Sequence, residues 1–289
     1  MNLTPTHMKT LLKTGISLLI LYVVFQAIDP NQLVEVLKQA HPGWLTWAVL
    51  WFIASKLTGA FRYKELLQTE GIFLTNRQQL RLYWLGMYYN LLLPGGISGD
   101  GYKIKKLMDD FEKPFRRLFS ITLFDRVSGV LALGQLCLVL ACWLTPLQTY
   151  WWIWLLGLAL SIPLSKVLYG RMIDGGAQLW ARTTIQSLGV QLAQLAATLG
   201  IVFALQQPAQ WLGYSLVFLV SSVVAMLPFT IGGAGAREIT FLWGAQVLHL
   251  DAERSVAIAF LFYLISTGVA LWGLLYSFKT ERLQPSVPG

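Results

Sequence analysis

The sequence predicts an all-α polytopic membrane protein: six full spans plus two re-entrant broken-helix hairpins in an inverted repeat, with both termini cytoplasmic. Three observations lead there. Of the 289 residues, 55% are hydrophobic and only 12% charged, with mean hydropathy +0.57, far from the soluble average. Apolar runs reach the length of a membrane span. The stretch LPGGISGDG at 93–101 recurs 134 residues later as LPFTIGGAG at 227–235, each copy followed two residues on by a cation, Lys103 or Arg237. Paired interruptions of this kind mark the sites of transporters built from repeats.

The spans follow in chain order. Runs at about 11–28, 44–61, 118–142, 150–168, 184–206 and 255–278 suit a helix crossing roughly 30 Å of hydrocarbon. The first follows Lys9 and Lys13 as a secretory leader would. It is long, however, and has no small-residue cleavage site ahead of Asp29 and Pro30, so it reads as a retained span. Two further stretches, 82–94 and 212–227, stop early at the Pro/Gly clusters and read as re-entrant. No segment is left for a separate soluble domain. Residues 1–289 therefore form a single membrane domain with halves at about 10–142 and 150–278.

Lys and Arg of short loops accumulate on the cytoplasmic face. With the N-terminus inside, Lys9, Lys13, the 62–81 and 102–117 loops, Lys166, Arg171, Arg182, Lys279 and Arg282 share one side, which takes 17 of the 22 basic residues. Lys38 and Arg254 fall outside, and Lys56, Arg126 and Arg237 lie within membrane segments. Segment 82–101 then enters and leaves from the cytoplasmic face, whereas the second broken segment starts outside near 206–211 and returns along 237–248. An odd span count per half inverts the second half. Shifting the first-half starts 11, 44 and 118 by 134 gives 145, 178 and 252, against independently read starts of 150, 184 and 255. Trp44, Trp47, Trp143, Trp151, Trp152 and Trp211 gather at the outer boundaries as interfacial anchors.

The clusters Pro94, Gly95, Gly96, Gly99 and Pro228, Gly232, Gly233, Gly235 predict unwound chain rather than kinked helix, because glycine favours irregular, closely approached backbone. Such backbone survives at membrane depth only inside protein or along a wet cavity. A polar cleft follows, where helix ends and free N–H groups hold an anion such as a head-group phosphate. The ionisable residues near it are Asp100, Lys103, Asp125, Arg126, Arg237 and Glu238. Each costs about 2.5 to 3.5 kcal/mol at a helix centre and so asks for a reason.

Asp125 and Arg126, like Arg237 and Glu238, are helix neighbours that do not face each other, so each seeks a partner elsewhere, and cross-pairing between the halves is one expectation. Arg237 opens the helix after the second cluster, placed to hold a phosphate bidentately, while Glu238 in the first turn suits the helix dipole. Asp125 and Arg126 form either a structural pair or part of the site. Asp100 and Lys103 sit at the cytoplasmic mouth of the first hairpin, and Asn90 is placed to cap or coordinate within it.

Soluble-enzyme motifs fail. In GISGDGYK at 96–103, Tyr102 intrudes where a phosphate loop needs Lys, and no dinucleotide fingerprint is present. His7, His41 and His249 occupy separate connectors, and Cys137 and Cys142 read as small apolar side chains. The expectation is no catalytic residue, no metal, no cofactor and no nucleic-acid partner.

N-x-x-L-P-G-G-x-x-G-D at 90–100, D-R at Asp125 and Arg126, L-P-x-x-I-G-G-x-G-x-R-E at 227–238 and R-Y-x-x-L-L at 62–67 resemble the lysylphosphatidylglycerol synthase transmembrane-region, flippase-like family. The resemblance implies a multi-pass protein of a bacterial or archaeal inner membrane that moves a phospholipid or lipid-linked head group between leaflets. Bifunctional members carry an aminoacyl-transferase domain after the membrane part; here the sequence stops at Gly289, so lysyl-lipid synthesis is not expected. Expected partners are anionic or lipid-linked membrane lipids, with a homo-oligomer or a lipid-biosynthesis enzyme left open. The alternatives are a membrane-embedded enzyme using Asp100 and Glu238 as acid and base, or a non-transporting partner of a lipid biosynthetic complex.

Overall fold

In the computed structural model the described residues are 30–92, 98–145, 147–226, 235–278 and 282–284, and all regular structure among them is helical. The helices are α1 (Pro30–Lys38), α2 (Pro42–Gln68), α3 (Asn76–Leu92), α4 (Ser98–Phe111), α5 (Phe115–Ala141) and α6 (Trp151–Met172). They continue with α7 (Gly176–Ala204), α8 (Trp211–Met226), α9 (Ala236–Leu248), α10 (Ala252–Leu271) and the short α11 (Leu274–Ser277). The expected first span at 11–28 lies outside the described residues, as do Pro94, Gly95, Gly96, Pro228, Gly232 and Gly233.

Local chemistry sets the boundaries. His41 accepts at Nδ1 from Gly43 N–H (3.2 Å) ahead of Pro42 in the first turn of α2. Asp251 caps α10 by accepting from Arg254 N–H (2.8 Å). Gly235, at φ 83°, turns the chain into α9 in a conformation that a Cβ would oppose.

Among the described residues, six helical stretches are long and apolar enough to cross a membrane: Pro42–Gln68, Phe115–Ala141, Leu147–Met172, Gly176–Ala204, Pro208–Met226 and Ala252–Ser277. The Pro208–Met226 stretch differs from expectation. A 3-10 turn at Pro208–Gln210 extends α8, so 19 residues meet the length criterion where the sequence reading had the segment stop early.

The widest helix contact joins α2 and α7, which run antiparallel. His41 N–H reaches the Ala204 carbonyl at one end (3.0 Å), and Arg182 pairs with Glu65 at the other (2.7 Å). Helix α5 runs parallel to α7: Arg62 bridges Asp125 and Ser187, and one turn further Gln191 Nε2 donates to the Gly129 carbonyl (3.2 Å). These contacts gather Arg116, Arg117 and Arg182 at one end of the bundle and the starts of α2, α6 and α8, with their exposed tryptophans, at the other. The charge and tryptophan asymmetries therefore lie along one axis.

Two antiparallel helix pairs start from opposite ends of the bundle. Helix α3 starts at the basic end, where Lys64 Nζ donates to Asn76 Oδ1 (2.7 Å), and climbs α2 past Ala60, whose carbonyl accepts from Gln79 Nε2 (2.6 Å). It reaches the level of Lys56, halfway along α2, where Asn90 Oδ1 accepts from Gly99 N–H (2.7 Å) and α4 turns back. A Cβ on Gly99 would overlap the Gly86 carbonyl oxygen, so the two helices touch backbone to backbone there. Helix α8 starts at the tryptophan end and α9 returns to it, with Gly244 against Val217 and Gly213 against Leu250.

The helix order repeats. Moving α2 by 134 residues gives 176–202 against the observed Gly176–Ala204, and moving α3 gives 210–226 against Trp211–Met226. Packing exchanges the halves too: α3 on α10 has its counterpart in α8 on α5, and α5 on α7 in α10 on α2. One apolar core surrounds Phe52, Phe218, Phe241 and Phe262; a second, around Tyr63, Ile121, Phe124 and Tyr169, closes the basic end.

Candidate functional site

A chain of polar groups joins α2, α4, α5 and α7. Arg62 Nε pairs with Asp125 Oδ1 (2.8 Å), its Nη1 donates to Ser187 Oγ (2.8 Å), and its Nη2 donates to the Asp125 carbonyl (3.1 Å). Asp100 accepts from Lys103 Nζ (2.8 Å) on one oxygen and from Arg126 Nε on the other. Lys103 Nζ also lies 4.3 Å from the Tyr63 ring centroid, and Tyr63 OH shares a hydrogen bond with Thr122 Oγ1 (3.0 Å). Arg62, Asp100, Lys103 and Asp125 are all buried. Their mutual pairing is what makes four charges tolerable in an apolar bundle.

The second hairpin contributes a different kind of cation. Arg237 Nη1 donates to Ser221 Oγ (2.9 Å) and Ser222 Oγ (3.3 Å), and its guanidinium lies over Phe262 and Phe218, 4.6 and 5.1 Å from the ring centroids. Phe262 packs edge-on to Phe52 at 5.5 Å, and Lys56 Nζ sits 4.5 Å from the Phe52 centroid. Lys56 and Arg237 thus cap one aromatic pair from α2 and α9. Neither forms an ion pair with a carboxylate among the described residues. Glu238, next to Arg237, instead turns back to accept from Gly235 N–H (2.8 Å), a helix cap as its first-turn position suggested.

Beside Lys56 is a cavity of about 160 Å³ lined by Phe52, Met87, Asn90, Tyr263, Ser266 and Thr267. Among the described residues Thr267 Oγ1 is buried without a hydrogen-bond partner. Asn90, in the last turn of α3, lines this cavity, and Arg237, in the first turn of α9, lies behind its Phe52 wall through Phe262. Five cations, Lys56, Arg62, Lys103, Arg126 and Arg237, face three carboxylates, Asp100, Asp125 and Glu238. The excess charge suits an anion, and aromatic faces hold the cations without neutralising them.

The structure corrects three expectations. Asp100 and Lys103 are not at an open mouth: they are 9% and 6% exposed inside the α4–α5 contact. Arg62 and Lys103, assigned to basic loops, are interior residues of α2 and α4. Among the described residues, the Asp125 and Arg126 ion pairs are made within the first half, with Arg62 and Asp100, where cross-pairing between halves was one expectation, because α4 and α2 flank α5 more closely than α9 does. Asn90, Gly99, Asp100, Lys103, Asp125 and Arg126 are brought together, while Gly235, Arg237 and Glu238 cluster separately at the start of α9. Sequence reasoning marked Lys56 as a charge within a span without giving it a role. Ser187, Ser221, Ser222 and Thr267 gave no signal, since hydroxyls are common in membrane helices whether or not they serve a site.

A family model described as lysylphosphatidylglycerol synthase TM region matches residues 10–175, more than half of the chain. The match covers α1 to α6, including the first hairpin and the Arg62–Asp125 and Asp100–Arg126 pairs, while Arg237 lies beyond it. No curated protein matches the chain.

Proposed function

The chain belongs to the lysylphosphatidylglycerol synthase TM region family, and on that premise we propose that it is a lipid translocator of the bacterial or archaeal inner membrane. The two hairpins are re-entrant, one from each face, and belong to halves inverted relative to each other, with the basic end cytoplasmic. A phosphate-bearing head group crosses at the level where the hairpins meet. The observation that carries this reading is the pair Lys56 and Arg237, two cations without carboxylate partners among the described residues, on either side of an aromatic pair that borders a cavity at mid-bundle.

The chemistry follows from that pair. A phosphate entering the cleft exchanges its hydration for Lys56, Arg237, Asn90 and the hydroxyls of Ser266 and Thr267, so its burial is compensated by groups already fixed in place. The acyl tails stay in lipid. Beside the second hairpin a wholly apolar groove of about 240 Å³, lined by Leu216, Val220, Trp243 and Val247, offers them a wall. Rocking of the halves about the α2–α7 contact exposes the cleft to each face in turn. A transporter is favoured over an enzyme because the two carboxylates that acid–base chemistry would need are engaged, Asp100 by Lys103 and Arg126 and Glu238 by Gly235.

The test is access from both faces. In proteoliposomes of a Cys137→Ala/Cys142→Ala background, Ser266→Cys is expected to react with a membrane-impermeant thiol reagent added on either side. Lys113→Cys at the basic end and Trp143→Cys at the tryptophan end are expected to react from opposite single sides. Labelling of Ser266→Cys from one face alone would exclude alternating access at this cleft.

A further inference from the structure

At the basic end, away from the cleft, two cavities of about 350 and 190 Å³ lie side by side under the C-terminal segment and share Arg81, Tyr276 and Leu283. The larger also holds Lys105 and Lys106; the smaller also holds Arg77 and Arg282. The segment is strapped in place. Leu283 is buried, its N–H donates to Asp110 Oδ2 (2.9 Å), and the Gln284 carbonyl accepts from Gln78 Nε2 (3.2 Å). Arg81 Nη2 donates to the Tyr276 carbonyl (3.4 Å), which sets the guanidinium on the wall between the chambers.

The charge is one-sided. Five cations line the two chambers against a single carboxylate, Asp109; Lys106 is paired with Asp110 (3.0 Å), whereas Arg77, Lys105 and Arg282 form no ion pair among the described residues. Leu82 and Leu85 line the larger chamber and Leu275 the smaller, with Tyr89 and Tyr102 beside the former, so the cleft is amphipathic as well as basic. An ordinary topology signal requires only loop charges; it does not require them to line two adjoining cavities closed by an anchored strap.

We propose that this cleft is a binding site for an anion carrying two phosphoryl groups, one per chamber, bridged at Arg81, with the lipid-linked form (a diphosphate or bis-phosphate lipid) and the soluble diphosphate sharing that chemistry. Planar guanidinium groups suit such oxygens, and the leucines accept the first carbons of a lipid tail. The site stands apart from Lys56 and Arg237 and holds whether or not lipid crosses between leaflets.

The experiment measures binding, so it is separable from transport. Full-length protein in nanodiscs of phosphatidylcholine is titrated with cardiolipin, a bis-phosphate lipid, or with phosphatidylglycerol at matched total charge, for the parent and for Arg77→Gln/Arg282→Gln, whose exposed side chains leave the core untouched. The expected result is at least tenfold preference for cardiolipin in the parent and its loss in the double variant, with the charge-matched control Lys166→Gln/Arg171→Gln, at exposed positions that line neither chamber, behaving as the parent. Competition by inorganic pyrophosphate but not by orthophosphate would support the site and identify the soluble form as a ligand; preference that survives pyrophosphate would support it for the lipid form. Equal binding of the two lipids at equal charge, or a preference unchanged in the double variant, would overturn it.

Discussion

At the residue scale, the cations of the described residues divide into those held by carboxylates and those held by hydroxyls and aromatic rings. Arg62 belongs to the first group: it is buried and satisfied by Asp125 and Ser187. Arg62→Met is expected to lose about 3–5 kcal/mol of stability, because Asp125 would be left buried and unpaired. Arg62→Met/Asp125→Leu is expected to recover most of it, as thermal unfolding in detergent would measure. Arg237 belongs to the second group, supported by two serine hydroxyls and two rings. The sequence distinguished these roles only in part. It marked Arg237 through its place after a glycine cluster, yet it read Arg62 as a loop charge because apolarity alone ends the second span near 61, whereas the helix runs on to Gln68 once Glu65 and Lys64 find partners at the bundle end.

At the element scale, the repeated glycines serve different ends despite their matched spacing. Gly99 presses on the Gly86 carbonyl where α3 meets α4, whereas a Cβ on Gly101 would meet nothing within 4 Å. Gly99→Ala is therefore expected to destabilise by about 1–3 kcal/mol through overpacking of the first hairpin. Gly101→Ala, in the same helix, is expected to be neutral or to gain up to about 1 kcal/mol from helix propensity. Equal melting shifts for the two variants would contradict the backbone contact. Segment ends were legible from hydropathy to within a few residues for 118–142, observed at Phe115–Ala141, and for 237–248, observed at Ala236–Leu248. The hairpin interior was not: the buried face of α4 follows helical spacing through Asp100, Lys103, Ile104 and Leu107, but two of those four are charges that read as loop residues until α5 supplies Arg126 as a partner.

At the scale of the whole molecule, the 134-residue offset found in nine residues extends to α2 through α5 and their counterparts α7 through α10, and to the way these helices pack. Membership of the family and the multi-helix membrane architecture were legible because both are written in local motifs and composition. The meeting of Lys56 with Arg237 was not, since residues 181 positions apart come together through the edge-on contact of Phe52 with Phe262. That meeting is the centre of the account, and leaflet exchange tests it most directly. Purified protein in liposomes with head-group-labelled anionic phospholipid is assayed for the fraction of label accessible to an external quencher, beside Lys56→Gln, Arg237→Gln and the double variant. The account predicts protein-dependent exchange, slowed at least tenfold by either substitution and reduced to the protein-free rate by both, with the variants still folded. Exchange at the parent rate in the folded double variant would contradict it.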